Sequence, residues 1–346
     1  MKFIRFTALA FGAILALQAH AATGRYDLTD VAANASAPKA LNASGQVAYN
    51  VYNTFDMVVT GPNGVGSFNP CPPAPATCAV WGLDDAGDVA IRVTGTKWPA
   101  GTSALAHFDG SNLRKLVDAN GTAGVTALSH AGKMTGDDGQ TVFRGRVQNK
   151  HVKDVALPAG FYRAMAWAIN DRRQIVGEIS ADSGGSHILL ALADGSPMQD
   201  LGGLAAGNSE YSTANAISNN GYIVGYANVT TNEAVHAPLG IYFHAVLARV
   251  GVPGLTDLGT LDGGGYGFSS YAQGVNSAGT VVGISEKNED VDTAFVLNVG
   301  DMVMTDLNTL VDLPAGVHLD AAWQINEAGQ ITASGSDGHL YLLTPR

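Results

Sequence analysis

The chain has 346 residues, 46% of them apolar and only 14% charged, with 43 glycines and a net charge of −11. That balance argues against a nucleic-acid backbone or an anionic membrane surface as a partner, since both call for a basic face. Sparse charge with abundant glycine also disfavours a helical chain and points to β-structure with many tight turns.

The first predicted element is a targeting segment. Lys2 and Arg5 precede an apolar run over residues 6–17, and Ala19-His20-Ala21 supplies a small-x-small cleavage pattern. Cleavage is expected after Ala21, leaving residues 22–346 as one domain, monomeric and secreted or periplasmic. The run is too short to span a bilayer, which takes about 20 apolar residues. Two cysteines follow, Cys71 and Cys78, on either side of a proline-rich stretch. In an oxidising compartment such a pair is expected to form a disulfide that pins a surface loop.

A short phrase then recurs along the chain. Its clearest copies are Ala168-Ile169-Asn170, Ala216-Ile217-Ser218, Gly274-Val275-Asn276 and Gln324-Ile325-Asn326. The turn position after the phrase falls at Gly45, Gly87, Gly132, Arg173, Gly221, Gly279 and Gly329, giving spacings of 41 to 58 residues. Periods of this length with four short strands per unit signal a β-propeller. Strand a ends at the Asn, and Asn-x-x-Gly forms the turn, Asn by capping it and Gly by supplying positive φ. Strand b is the β-branched run, such as Tyr222-Ile223-Val224-Gly225. Strand c is His244-Ala245-Val246-Leu247 in the fifth copy, and strand d is read as an Asp-Leu element: Asp200-Leu201, Asp257-Leu258, Asp306-Leu307. The last unit lacks that element, and Tyr26-Asp27-Leu28-Thr29 near the other end offers it. The fold expected is all-β: a propeller of seven four-stranded blades, closed by an N-terminal strand that completes the last blade. Degenerate early repeats leave six or eight open.

These motifs resemble the extracellular HAF-repeat family. Residues 257–263 match its Asp-Leu-Gly-Thr-Leu-Gly-Gly element, and residues 272–283 match its Ala-x-x-Ile-Asn-x-x-Gly-x-Val-Val-Gly element. His244-Ala245 and Ala294-Phe295 each match part of its His-Ala-Phe strand. The resemblance covers mainly residues 164–346, and implies a secreted β-repeat protein. It implies no activity, because the matching residues are the repeat positions themselves.

Asn170, Asn276 and Asn326 are read as turn-formers, and Asp200, Asp257 and Asp306 as backbone acceptors. His187, His244 and His339 share one place in strand c on different blades, which disfavours a joint metal site. Function is expected in the b–c and d–a connections, since loops on a rigid scaffold carry it. Tyr162, Arg163, Tyr211, Tyr266 and Tyr271 lie in those connections and would suit a glycan or another polar ligand, or a protein partner: rings stack and nearby polar groups orient. The rival is a hydrolase or lyase using Asp182, Glu210 or Asp320, which would need two facing carboxylates. A structural surface protein without a small ligand is a third reading. No cofactor is expected. The acidic run at Glu286, Glu289, Asp290 and Asp292 has the oxygen ligands Ca²⁺ favours but not the spacing of a dedicated loop, and reads as a solvated connection. His130 with Asp137 and Asp138 flanks a hairpin and is set aside as an acid–base group.

Overall fold

A computed structural model describes residues 25–346 except 53, 55, 70, 72–76, 96–97, 108–112, 116–123, 148, 183, 205–209, 230–241, 262–267 and 289–290. The expected targeting segment therefore lies outside the described residues. No described helix is long and apolar enough to cross a membrane.

The repeated phrase builds one unit. In the fourth blade, strand a (Phe161–Ile169) turns at Asn170 into strand b (Ile175–Ala181), followed by strand c (Ser186–Ala191) and strand d (Gln199–Asp200). The Asn170 side-chain oxygen accepts the Gln174 N–H at 2.9 Å, which closes the turn. The turn position has positive φ in all seven copies: glycine in six, and Arg173 at φ 62° in this one. Strand b is rich in apolar residues because sheets pack on both of its faces; each residue from Ile175 to Ser180 is buried, Glu178 and Ser180 included.

Strands a to d pair antiparallel into seven four-stranded sheets. The sheets form a β-propeller, as expected from the repeat. They are not equal. The first, over residues 40–68, has strands a and d of two residues each, so six blades are substantial and one is slight. Seven apolar clusters lie between neighbouring sheets, one of them joining Leu340 and Leu342 of the last blade to Leu41, Val47 and Tyr49 of the first.

The last blade takes its outer strand from the other end of the chain. Tyr26–Ala33 pairs antiparallel with His339–Pro345, placing Leu28 opposite Leu343. The register differs from the one read in the sequence. Asp30, not Asp27, occupies the place of Asp200 and Asp257, because Asp30 Oδ2 meets His339 Nδ1 at 2.9 Å. Asp27 instead accepts from Arg346 Nε at 2.7 Å. A second correction concerns strand d, which ends at the aspartate rather than containing it: Val252–Asp257 and Val303–Asp306 both stop there. The carboxylate then accepts the N–H two residues on, as Asp257 does from Gly259 and Asp306 from Asn308, which turns the chain out of the sheet.

The turn asparagines also join the blades. Asn42 Nδ2 donates to Asp84 O, Asn170 to Ser218 O, Asn276 to Asn326 O, and Asn326 to Asn42 O. The last of these closes the circle between the ends of the chain. Residues one or two places on form a parallel set. Ala43 N–H donates to Asp85, Ala131 to Asp171, Asp171 to Asn219, and Ser277 to Glu327.

Cys71 and Cys78 are disulfide-bonded at a Cα separation of 5.8 Å. The closed loop is short, so the loss on replacing both with Ser is expected to be about 2.5 kcal/mol or less, measured by urea unfolding under non-reducing conditions.

Asn326→Ala removes the closing bond and leaves the buried Gln330 N–H, now held by Asn326 Oδ1, without its acceptor. We expect it to cost about 2–4 kcal/mol, and a change below roughly 0.5 kcal/mol would show that the belt does not hold the ring. Asp84 stands where other blades have Asn, and burial pushes its pKa up to about 6 against an ordinary 3.8. A raised carboxyl pKa means the fold favours the protonated form, so its contribution is full below pH 3.8 and is lost as pH rises through about 6. Asp84→Asn is therefore expected to stabilise by about 1 kcal/mol near pH 7 and by little near pH 4, read as paired melting curves.

Candidate functional site

Strand direction decides which side chains share a face. The starts of strands a and c and the ends of strand b lie at one end of each blade, away from the a–b turns. In the fifth blade these places hold Tyr211, Phe243 and Tyr226, and at the start of the sixth blade's strand a stands Tyr271. The four rings form one cluster. Tyr226 and Tyr271 lie 5.0 Å apart edge to face, Tyr226 and Phe243 5.5 Å, and Tyr211 and Phe243 5.9 Å. All four are half-buried, so each keeps some surface toward solvent. Edge-to-face rings at these distances hold one another in place, which makes a stiff platform.

A buried carboxylate anchors the cluster. Tyr211 Oη donates to Glu178 Oε2 of the neighbouring blade at 3.1 Å. Burial first, and the Glu178 charge second, push the Tyr211 pKa far above its ordinary value, so the phenol stays a donor. Burial likewise raises Tyr226 and Tyr271. Glu286 holds the start of the sixth blade by accepting the Ser269 N–H at 2.7 Å.

The repeated histidines brace the same face. His187 Nδ1 meets Asp200 at 2.9 Å while its Nε2 meets Glu210 at 3.0 Å. His244 meets Asp257 at 2.9 Å, and His339 meets Asp30. The sixth blade has Thr293 in the histidine place, and there Lys287 reaches Asp306 at 3.1 Å instead. Each strand-d aspartate thus has a cationic or N–H partner from its own blade. Burial pushes the Asp257 carboxyl up, but the His244 and Gly259 hydrogen bonds outweigh it and hold its pKa below the ordinary value. His244 Nε2 is buried without a partner among the described residues.

Of the residues singled out in the sequence, Tyr211 and Tyr271 are brought together. Tyr162 is 60% exposed and stands apart from the cluster, and Arg163 Nη2 approaches Met165 Sδ. Tyr266 lies outside the described residues. Glu178, Tyr226 and Phe243 were missed because they sit inside strands b and c rather than in connections. Of the candidate catalytic carboxylates, Asp182 is exposed, Glu210 is tied to His187 at 3.0 Å, and Asp320 to His318 at 2.8 Å. The acidic run is not a loop. Strands Thr280–Asn288 and Val291–Asn298 continue through it, pairing Glu286 with Asp292, with Glu289 and Asp290 outside the described residues. No group of three His, Cys, Asp or Glu among the described residues is placed to hold a metal ion. His130 lies in the a–b turn, at the opposite end of strand Lys133–Asp137 from Asp137, and pairs with Asp85 at 3.0 Å, which raises its pKa.

A second feature lies on the axis. The inner strands enclose a cavity of about 310 Å³, lined by Trp81, Trp167 and Trp323 and by polar side chains that include Asn215 and Gln273.

No family model and no curated protein matches the chain. Solved structures do. YCF48 bound to a D1 peptide superposes with a TM-score of 0.56 at 8% identity, over 93% of this chain and 97% of that one. An oligogalacturonate lyase from Vibrio parahaemolyticus gives 0.55 at 8% identity, over 93% and 84%. A prolyl endopeptidase gives 0.58 at 10% identity, over 91% of this chain but 50% of the enzyme. At these identities the likeness is one of fold.

Proposed function

We propose that the chain is an exported propeller of the HAF-repeat kind that binds a glycan on the face formed by its b–c and d–a connections. The targeting segment read in the sequence and the disulfide support export, since such bonds persist in oxidising compartments. One observation carries the binding reading: four half-buried rings, Tyr211, Tyr226, Phe243 and Tyr271, converge from two blades beside the buried Glu178. Flat apolar faces with a fixed hydrogen-bonding group next to them suit a sugar, which offers apolar C–H patches ringed by hydroxyls. A hydrolase or lyase has less support, because Glu210 and Asp320 are each engaged by a histidine.

The test is a glycan array followed by calorimetry on the glycans retained. Tyr226→Ala and Tyr271→Ala are each expected to weaken binding about tenfold while the far-ultraviolet dichroism stays unchanged. Retention of no glycan by the parent, or equal affinity in both variants, would sink the reading.

A further inference from the structure

The axial cavity has a construction of its own. In six blades, strand a carries a β-bulge at the same place, between the residues before and after Trp81, Thr126, Trp167, Asn215, Gln273 and Trp323. A bulge leaves one residue out of the ladder and re-aims its side chain. All six bulged residues line the cavity, together with Lys39, which precedes strand a of the slight first blade. In five of the six the next residue along is small, Gly82, Ala127, Ala168, Ala216 or Gly274, because inner strands crowd one another there; the last blade has Gln324. A Cβ on Gly82 would come within 2.7 Å of Leu128 N. Packing thus fixes the neighbours and leaves the bulged place free to vary. Three of the chain's four tryptophans fall on it.

The chemistry of this ring is specific. Trp167 is 36% exposed, and Trp323 is half-buried with its Nε1 donating to Ser334 Oγ, so both offer ring surface. Trp81 is bracketed by cations, with Arg92 at 5.2 Å and Lys39 at 5.9 Å from its ring centre. Asn215 Nδ2 donates to Ala272 O and Gln273 Oε1, which orients both amides. Among the described residues, Asn215 Oδ1 and Gln273 Nε2 have no hydrogen-bond partner. Lower in the cavity, Asp171 and Glu327 are both engaged in the inter-blade belt.

We propose that this cavity is a second binding site, for a neutral saccharide of one or two rings. Tryptophan faces meet the apolar side of a pyranose, and the free amide groups meet its hydroxyls. Neutrality follows from the wall. The six bulged side chains are all uncharged, and the carboxylates on the wall, Asp171 and Glu327, already accept hydrogen bonds in the belt. At about 310 Å³ the space is at the small end for ligand pockets, roughly 300–1,000 Å³. The site does not depend on the outer face, because a glycan lying on the tyrosines need not enter the axis.

Intrinsic tryptophan fluorescence separates the two sites, since the outer cluster contains no tryptophan. The mature chain is titrated with glucose, galactose, mannose, N-acetylglucosamine and their common homodimers, and with glucuronate as a charged probe. At least one neutral sugar is expected to shift the emission saturably, and glucuronate to bind at least about tenfold more weakly. Trp167→Ala and Asn215→Ala should each weaken that sugar by about tenfold, and Val303→Ser, on an outer strand, should leave it unchanged. Melting curves confirm that each variant folds. The proposal is overturned if no neutral sugar shifts the emission up to about 10 mM, if glucuronate binds as well, or if a folded Trp167→Ala or Asn215→Ala variant binds like the parent. Loss of binding to the outer face with this signal intact would overturn the other site alone.

Discussion

One side-chain geometry organises the ring. An asparagine at the end of strand a accepts backbone N–H groups of its own turn through Oδ1 and donates Nδ2 to the carbonyl at the same place in the next blade. A single amide thus shapes the hairpin and sets the distance to its neighbour. Where the place holds Asp84, Ser129 or Ser218, the turn is still capped but the Nδ2 donor is absent. There neighbouring turn residues supply the link: Asp85 N–H donates to His130 O, Ala131 N–H to Asp171, and Asn220 Nδ2 to Ser277 O. Because Asn326 Nδ2 donates a hydrogen bond to Asn42 O, the series returns to its origin. Apolar seams between all neighbouring sheets supply the bulk of the burial, but they are non-directional. The belt fixes how the blades are angled.

That division explains what the sequence made legible. Turn asparagines, turn glycines and the exchanged strand are local or repeated signals, and they could be read without coordinates. The register of the exchanged strand could not. Asp27 and Asp30 lie close together and both precede an apolar residue, and the choice rests on His339, a partner at the far end of the chain. The slightness of the first blade was similarly hidden, because its two-residue strands still carry the phrase. Of the outer cluster, Tyr211 and Tyr271 were found because they sit where connections begin. Glu178, Tyr226 and Phe243 sit in strands, where an apolar or aromatic residue reads as core. The axial ring had a signal that went unused: the first variable place in Ala-x-x-Ile-Asn holds most of the tryptophan.

The two faces of the ring have different tasks. On the turn face polar groups are spent on one another, and little is left for a ligand. On the opposite face, histidine–aspartate pairs brace the ends of strands c and d, and the aromatic cluster bridges two blades. Rigid bracing beside a partly exposed aromatic surface is the arrangement expected when a surface must hold its shape to recognise something. On the function proposed above, the repeated residues serve recognition indirectly, by keeping still the residues that are not repeated.

The exchange of strands has a consequence for how the chain reaches this form. Arg346 N–H donates to Arg25 O, so the first described residue and the last are neighbours. During synthesis Tyr26–Ala33 must wait for His339–Pro345, which is made far later. Until then the final sheet has an open edge, and Tyr26–Ala33 has no partner. The contact that seals the molecule is also the one with the largest loop to close, and loop closure is the entropic cost that slows non-local pairing. A folded ring thus certifies that both of these strands were delivered.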